Sequence, residues 1–327
     1  MSNSRDRPAA GEGEAQDREA RLNTLKGIIL VNVATLTWAT NITLGRSLRD
    51  DIGPLTLAAA RFALAAPVFA ALLWHRSVES HRFVEEHRPG RDRWLLLGMA
   101  LAGVVAFAPT LYLALRYTTA VNATLINGFG PLITGLLAGL LIGEPMSRRQ
   151  VVGAVVALAG IAVLISGGST AFLRQAAVNT GDLIVVGAVT LWAIYSVLGR
   201  RLMHRRSALS ATALSSFMGL PLLALAAACE VNALPPALSP RLLLALLYIG
   251  LVPTVGGFLA WNAGVRRLGA SGAMVFYNTL PLYGALLGYF ALGEPVGPAH
   301  LVGGALVVGG ALWAARSGRN WPPGQEE

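Results

Sequence analysis

Few side chains in this sequence can do chemistry, and those few fall at matched places. Glu144 and Glu294 each occupy a Gly-Glu-Pro turn, Gly143-Glu144-Pro145 and Gly293-Glu294-Pro295, that closes a long apolar run. A carboxylate there can meet the positive end of the following helix dipole, with proline fitted to the first helical turn. It can equally carry a coupled proton or close a gate, and the sequence leaves both readings open. Arg61 is the one cation well inside an apolar run. It needs water, a carbonyl, an acid or an anionic solute group there, or it snorkels to an interface about 10 Å away. Asn127 aligns with Tyr277 and Gly128 with Asn278, while Trp38 and Asn41 align with Trp192 and Tyr195. With Tyr112, Trp261 and Asn262, these side chains suit a central cavity, aromatic faces giving contact area and amides giving orientation. The competing reading places the rings in interfacial belts and the amides in helix-to-helix hydrogen bonds. Pro131 and Pro281 stand about halfway along two apolar runs, where each removes a backbone hydrogen bond and is expected to kink its helix, as a hinge or as a fixed bend.

This is chemistry of recognition and gating, not of bond making. His75, His81, His87, His204 and His300 form no HExxH or other metal-binding pattern, and Cys229 is the only cysteine. Lys26 is the only lysine and is followed by no P-loop. No metal, no cofactor and no enzymatic centre is expected, and ATP hydrolysis by a P-loop is excluded as a driving force.

The elements that must position these residues are apolar helices. Hydrophobic residues make up 54% of the chain and charged ones 13%, about half the share usual in a soluble domain. Mean hydropathy is +0.57. Ten runs satisfy the roughly 20 apolar residues needed to cross a bilayer, near 26–45, 54–74, 94–115, 118–142, 149–165, 181–198, 208–229, 242–263, 270–292 and 297–314. Residues 1–24 and 317–327 are polar, and the first of these stretches is expected to be disordered. The run after Gly27 is too long for a signal peptide. Arginine clusters (Arg91 and Arg93; Arg200, Arg201, Arg205 and Arg206; Arg266 and Arg267) fall on one side of this scheme. Only the scattered Arg46, Arg49, Arg116, Arg174 and Arg241 fall on the other. The positive-inside rule then places both termini in the cytoplasm, and it accounts for the net charge of +9 without a nucleic-acid partner.

Internal repetition organises the whole chain. Trp38-Ala39 and Leu44-Gly45-Arg46 recur 154 residues later as Trp192-Ala193 and Leu198-Gly199-Arg200. Pro131-Leu132, Gly143-Glu144-Pro145, Gly153 and Gly160 recur 150 residues later as Pro281-Leu282, Gly293-Glu294-Pro295, Gly303 and Gly310. Two units are expected, 25–168 and 179–316, each with five spans. An odd number of spans turns the second unit upside down relative to the first. Inverted repeats give two related conformations, one open to each face, which suits transport; a non-transporting receptor or assembly partner is the alternative and predicts a sealed centre. Gly135, Gly139 and Gly143, spaced by four, read as a close-packing seam.

Leu115-Arg116-Tyr117-Thr118 before the fourth span, Pro131 within it, Gly-Glu-Pro at its end and Arg61-Phe62 in the second span resemble the EamA-like transporters of the drug/metabolite transporter superfamily. The resemblance runs from Leu25 to Ala315. It implies an all-α integral membrane protein of ten transmembrane helices in two inverted repeats. The implied activity is secondary transport, often export, of amino acids, metabolites or drugs across the bacterial cytoplasmic membrane. Its partners would be a small-molecule solute and the lipid bilayer. The second half departs from the pattern: Val265-Arg266-Arg267-Leu268 stands where the first has Leu115-Arg116-Tyr117-Thr118, and the seventh span has no counterpart of Arg61.

Overall fold

A computed structural model describes residues 10–80, 92–143, 147–165, 179–203, 205–277 and 279–315, and every regular element among them is helical. Helix α1 spans Ala10–Ser47 and α2 Pro54–Ser80. The third run is α3 (Arg93–Met99), a π-helical stretch Ala100–Phe107 and α4 (Ala108–Tyr117). Then come α5 (Ala120–Asn127), α6 (Gly130–Ile142) and α7 (Arg148–Ile165). The second half contributes α8 (Thr180–Met203), α9 (Ala208–Ala233) and α10 (Pro240–Leu251). After a second π-helical stretch, Val252–Gly256, the chain ends in α11 (Gly257–Tyr277), α12 (Leu280–Leu292) and α13 (Pro298–Ala315).

Residues 1–9 lie outside the described residues, and from Ala10 the stretch expected to be disordered is the start of α1. Its Ala, Glu, Gln and Arg are strong helix formers. Residues 18–26 are exposed. The C-terminal stretch 317–327 lies outside the described residues.

Among the described residues, six helices are long and apolar enough to cross a membrane: Arg18–Ser47, Pro54–His75, Arg93–Tyr117, Thr180–Leu202, Ala208–Ala233 and Pro240–Leu268. The pair α5 and α6, bent by 40°, makes a seventh if counted as one span, and three shorter apolar helices cover Val151–Leu164, Leu280–Leu292 and Pro298–Gly310. Pro131 and Pro281 follow helix breaks and do not sit inside continuous helices, and the run through Pro131 bends by 40° at its break. Each lies in the first turn of a new helix, α6 or α12, where a missing N–H costs nothing. The eighth and ninth runs also differ from expectation, because α11 continues through both to Tyr277 without a turn. In the first half Thr119 accepts a hydrogen bond from the Asn122 amide and starts α5 afresh; Gly269 stands at the corresponding place and has no hydroxyl to do so.

The repeated glycines meet one another. A Cβ added at Gly160 would lie 2.6 Å from the Gly303 carbonyl oxygen, and one at Gly303 would lie 2.8 Å from that of Gly160. Gly310 stands equally close to the Gly153 carbonyl. Position 160 therefore faces 303 while 153 faces 310, so α7 and α13 run antiparallel, with backbones in contact because no side chain separates them. Exchanging the two repeats maps one of these contacts onto the other, the signature of a local two-fold axis. Gly143 and Gly293, with φ of 73° and 65°, terminate α6 and α12 in the left-handed conformation that glycine adopts without strain.

Candidate functional site: a central cavity and a charged clamp

Both halves contribute to one cavity at the centre of the bundle. Trp38 of α1, Arg61, Phe62 and Phe69 of α2, and Gly103, Val104 and Phe107 of the third run face Trp192 and Tyr195 of α8. Thr212 and Ser216 of α9, and Pro253, Thr254 and Phe258 of the eighth run, close it. The two π-helical stretches lie opposite each other at corresponding places, Gly103 and Val104 matching Pro253 and Thr254 at the 150-residue spacing. A π turn leaves its backbone out of the usual register and recurs at functional sites. Here the Thr254 hydroxyl donates to the Ile249 carbonyl, five residues back, at 2.6 Å.

Arg61 does not reach for an interface. Its Nε donates to the Thr254 hydroxyl at 2.7 Å, and its Nη1 lies 3.4 Å from the Tyr112 hydroxyl. Tyr112 in turn donates to Asn41 Oδ1 at 2.8 Å. The guanidinium carbon stands 5.2 Å from the Phe62 ring centre. These partners are all neutral: among the described residues no carboxylate lies within ion-pair distance of Arg61. Asn41 and Tyr112, buried behind Arg61, hold it in place and do not line the cavity.

The aromatic residues form two groups. Trp192 stacks on Tyr195 with ring centres 5.1 Å apart and meets Phe107 at 5.0 Å, making one cavity wall. The Tyr195 hydroxyl shares a 3.0 Å hydrogen bond with Thr212. Trp38, on the opposite wall, contacts Trp261 at 5.4 Å and Tyr277 at 6.1 Å, and its Nε1 donates to the Pro253 carbonyl. Trp261 and Tyr277 thus sit behind Trp38, outside the lining. Asn127 and Asn262 bond to carbonyls of their own helices, those of Ala123 and Phe258, and neither lines this cavity. Asn278 and Glu144 lie outside the described residues. The free volume is about 60 Å³, below the roughly 300 Å³ of a small-molecule site, so the walls must part to admit a solute.

At one end of the bundle the turn between α4 and α5 is clamped by charge. Glu294 accepts from the Ala120 amide at 2.9 Å and the Val121 amide at 3.0 Å, so it caps α5 and not the helix that follows it in sequence. Arg46 donates to the last carbonyls of α4, Leu115 at 2.6 Å and Arg116 at 3.4 Å, and lies 3.6 Å from Glu294. Each charge thus faces the helix end of opposite sign. Asp182 of α8 accepts from Thr118 and, at 3.0 Å, from Asn122 Nδ2. At the same end Glu230 caps α2 through the amides of Leu55 and Thr56 and the Thr56 hydroxyl. Glu230 and Glu294 both reach across from the second half to the first. Asp182, Glu230 and the cavity hydroxyls of Thr212 and Ser216 escaped the reading of the sequence; the polar cluster Ser210, Thr212, Ser215 and Ser216 inside an apolar run was the available signal.

Comparison with known proteins agrees with this architecture. The EamA-like transporter family matches twice, over residues 25–166 and 179–316. The uncharacterized transporter YyaM of Bacillus subtilis is 30% identical, with 88% of this chain and 92% of that protein covered. The "Probable terminal-alkyne amino-acid exporter" of Streptantibioticus cattleyicolor is 25% identical, with 88% and 92% covered. A solved crystal structure shares the fold at a TM-score of 0.58 and 24% identity, covering 93% of this chain and 99% of that one. Apolar helices, a tandem repeat and a cavity between the halves are the parts of a multi-pass carrier of small solutes, and this chain belongs to the EamA-like transporter family.

Proposed function

We propose that the protein is a secondary active exporter that moves a small organic solute across the cytoplasmic membrane by alternating access. The observation that carries this reading is the cavity itself, walled by both halves and too small for a solute in this conformation. The antiparallel α7 and α13 support an inverted mounting of the two repeats, with the three shorter apolar helices and the bent α5–α6 pair completing ten spans. With both termini cytoplasmic, the Gly293 turn faces outside, and the clamp of Glu294 and Arg46 is the outer gate. The sequence repeat gives Glu144 and Arg200 as the inner counterparts. Asn127 and Tyr277, at the helix breaks, flex when the gates exchange. The amino-acid exporter among the relatives supports a solute of that size.

The test is flux in proteoliposomes across a panel of amino acids, organic acids and cationic drugs, with and without an imposed proton gradient. Uptake or release of one panel member, abolished in a Glu294→Ala protein of intact fold, is expected. A wild-type protein that moves none of them and gains no thermal stability from any of them overturns the proposal.

A further inference from the structure

From the surroundings of Arg61, we infer that the cavity takes an organic anion, a carboxylate on an apolar or aromatic body, and that Arg61 is the residue that reads its charge. This rests on the cavity's being the solute site of the proposed carrier. The lining holds one guanidinium and no acidic side chain. A cation held among apolar walls without a carboxylate is expensive, and its charge calls for an anionic ligand or water. The bonds Arg61 does make orient it without neutralising it. Nε is fixed by Thr254 and one Nη1 position by Tyr112, with Tyr112 locked in turn by Asn41. Nη2 has no protein partner among the described residues, and no buried donor of Arg61 is left unsatisfied. Nη2 with the rest of Nη1 presents the edge of the guanidinium fork that a carboxylate engages through two parallel hydrogen bonds.

The remainder of the site fits the other end of such a molecule. Phe107, Trp192 and Phe258 give apolar contact area, and the Thr212 and Ser216 hydroxyls are the polar groups on the α9 side. Thr254 belongs to the second half and Arg61 to the first, and the residue matching Thr254 by the repeat is Val104. The charged end of the cavity is therefore asymmetric, and a solute has one orientation in it. A cationic solute meets Arg61 with no acid to balance it.

The experiment compares three molecules with the same body, 3-phenylpropionate, 3-phenylpropionamide and 3-phenylpropylamine, binding to the purified full-length protein, read by quenching of tryptophan fluorescence. The carboxylate is expected to bind at least tenfold more tightly than the amide, and the amine more weakly than either. In Arg61→Gln the carboxylate advantage is expected to vanish, and in Arg61→Lys to return in part. Should either variant fail to fold, the wild-type series alone decides. Equal affinities, a preference for the amine, or no saturable binding by the carboxylate in the wild-type protein would overturn the inference, as would a carboxylate advantage that survives in folded Arg61→Gln. Flux of the same molecules into liposomes is read separately: binding without flux refutes the carrier reading and leaves the anion site standing.

Discussion

Removing the Glu294 carboxylate tests whether the clamp holds the two halves together. In Glu294→Ala the amides of Ala120 and Val121 lose acceptors at 2.9 and 3.0 Å, and Arg46 loses the carboxylate 3.6 Å from its Nε. A helix cap contributes about 1 kcal/mol, and a hydrogen bond to a charged group about 1.5–3 kcal/mol. Glu294 is 8% exposed, so water replaces little of what is lost. Two such bonds and a half-buried ion pair together give a destabilisation of about 3–5 kcal/mol. Glu294→Gln keeps an acceptor oxygen but no charge, and about half of that loss is expected. Arg46 retains its bonds to Leu115 and Arg116, so the Arg46–Glu294 coupling in a double-mutant cycle is expected at only about 1–2 kcal/mol. The assay is reversible unfolding in mixed micelles, followed by circular dichroism. A Glu294→Ala penalty below about 1 kcal/mol, or equal penalties for Ala and Gln, would refute a charge-assisted cap between the halves.

Further outcomes follow from the same contacts. Gly160→Ala drives a methyl into the Gly303 backbone and is expected to cost about 1–3 kcal/mol, whereas Gly309→Ala, with open space around it, is expected to be neutral or slightly stabilising by thermal melting. Thr119→Ala removes the cap on the Asn122 amide and is expected to lower stability by about 0.5–2 kcal/mol by the same unfolding assay. Asp92→Ala removes the carboxylate 2.9 Å from the buried Arg206, and about 1.5–3 kcal/mol should be lost, while Arg205→Ala, at the exposed rim of the pair, should cost under about 1 kcal/mol.

The fold was legible where one residue type has one physical job. Long apolar runs, and the matched spacing of Gly153, Gly160, Gly303 and Gly310, announced the helices and the repeat, and these glycines turned out to be where α7 and α13 touch. Helix breaks were less legible. Proline at 131 and 281 is compatible with a kink or a fresh start, and the choice depends on what packs against it. The continuous α11 hinged on one missing hydroxyl at Gly269, a cue weaker than the charges of Arg266 and Arg267 beside it. The site was partly legible. Trp38, Trp192 and Tyr195 line the cavity, yet Asn127 and Asn262 satisfy their own helices, since an amide on a helix can always turn back to the carbonyl four residues before it. Which of these an asparagine chooses is a tertiary decision. The partner of Glu294 was hidden for the same reason: helix ends of opposite sign attract acids from any neighbour, and sequence proximity nominated the wrong helix.

Sided labelling in a Cys229→Ser background gives the most direct test that one cavity opens in turn to the two faces of the membrane. Phe107→Cys and Thr212→Cys place a thiol on the cavity wall in each half, and an impermeant maleimide is applied to right-side-out and to inverted vesicles. Both positions should label from both faces, with each reaction slowed by a transported solute. Labelling confined to one face, or absent from both, would contradict a shared pathway between the halves.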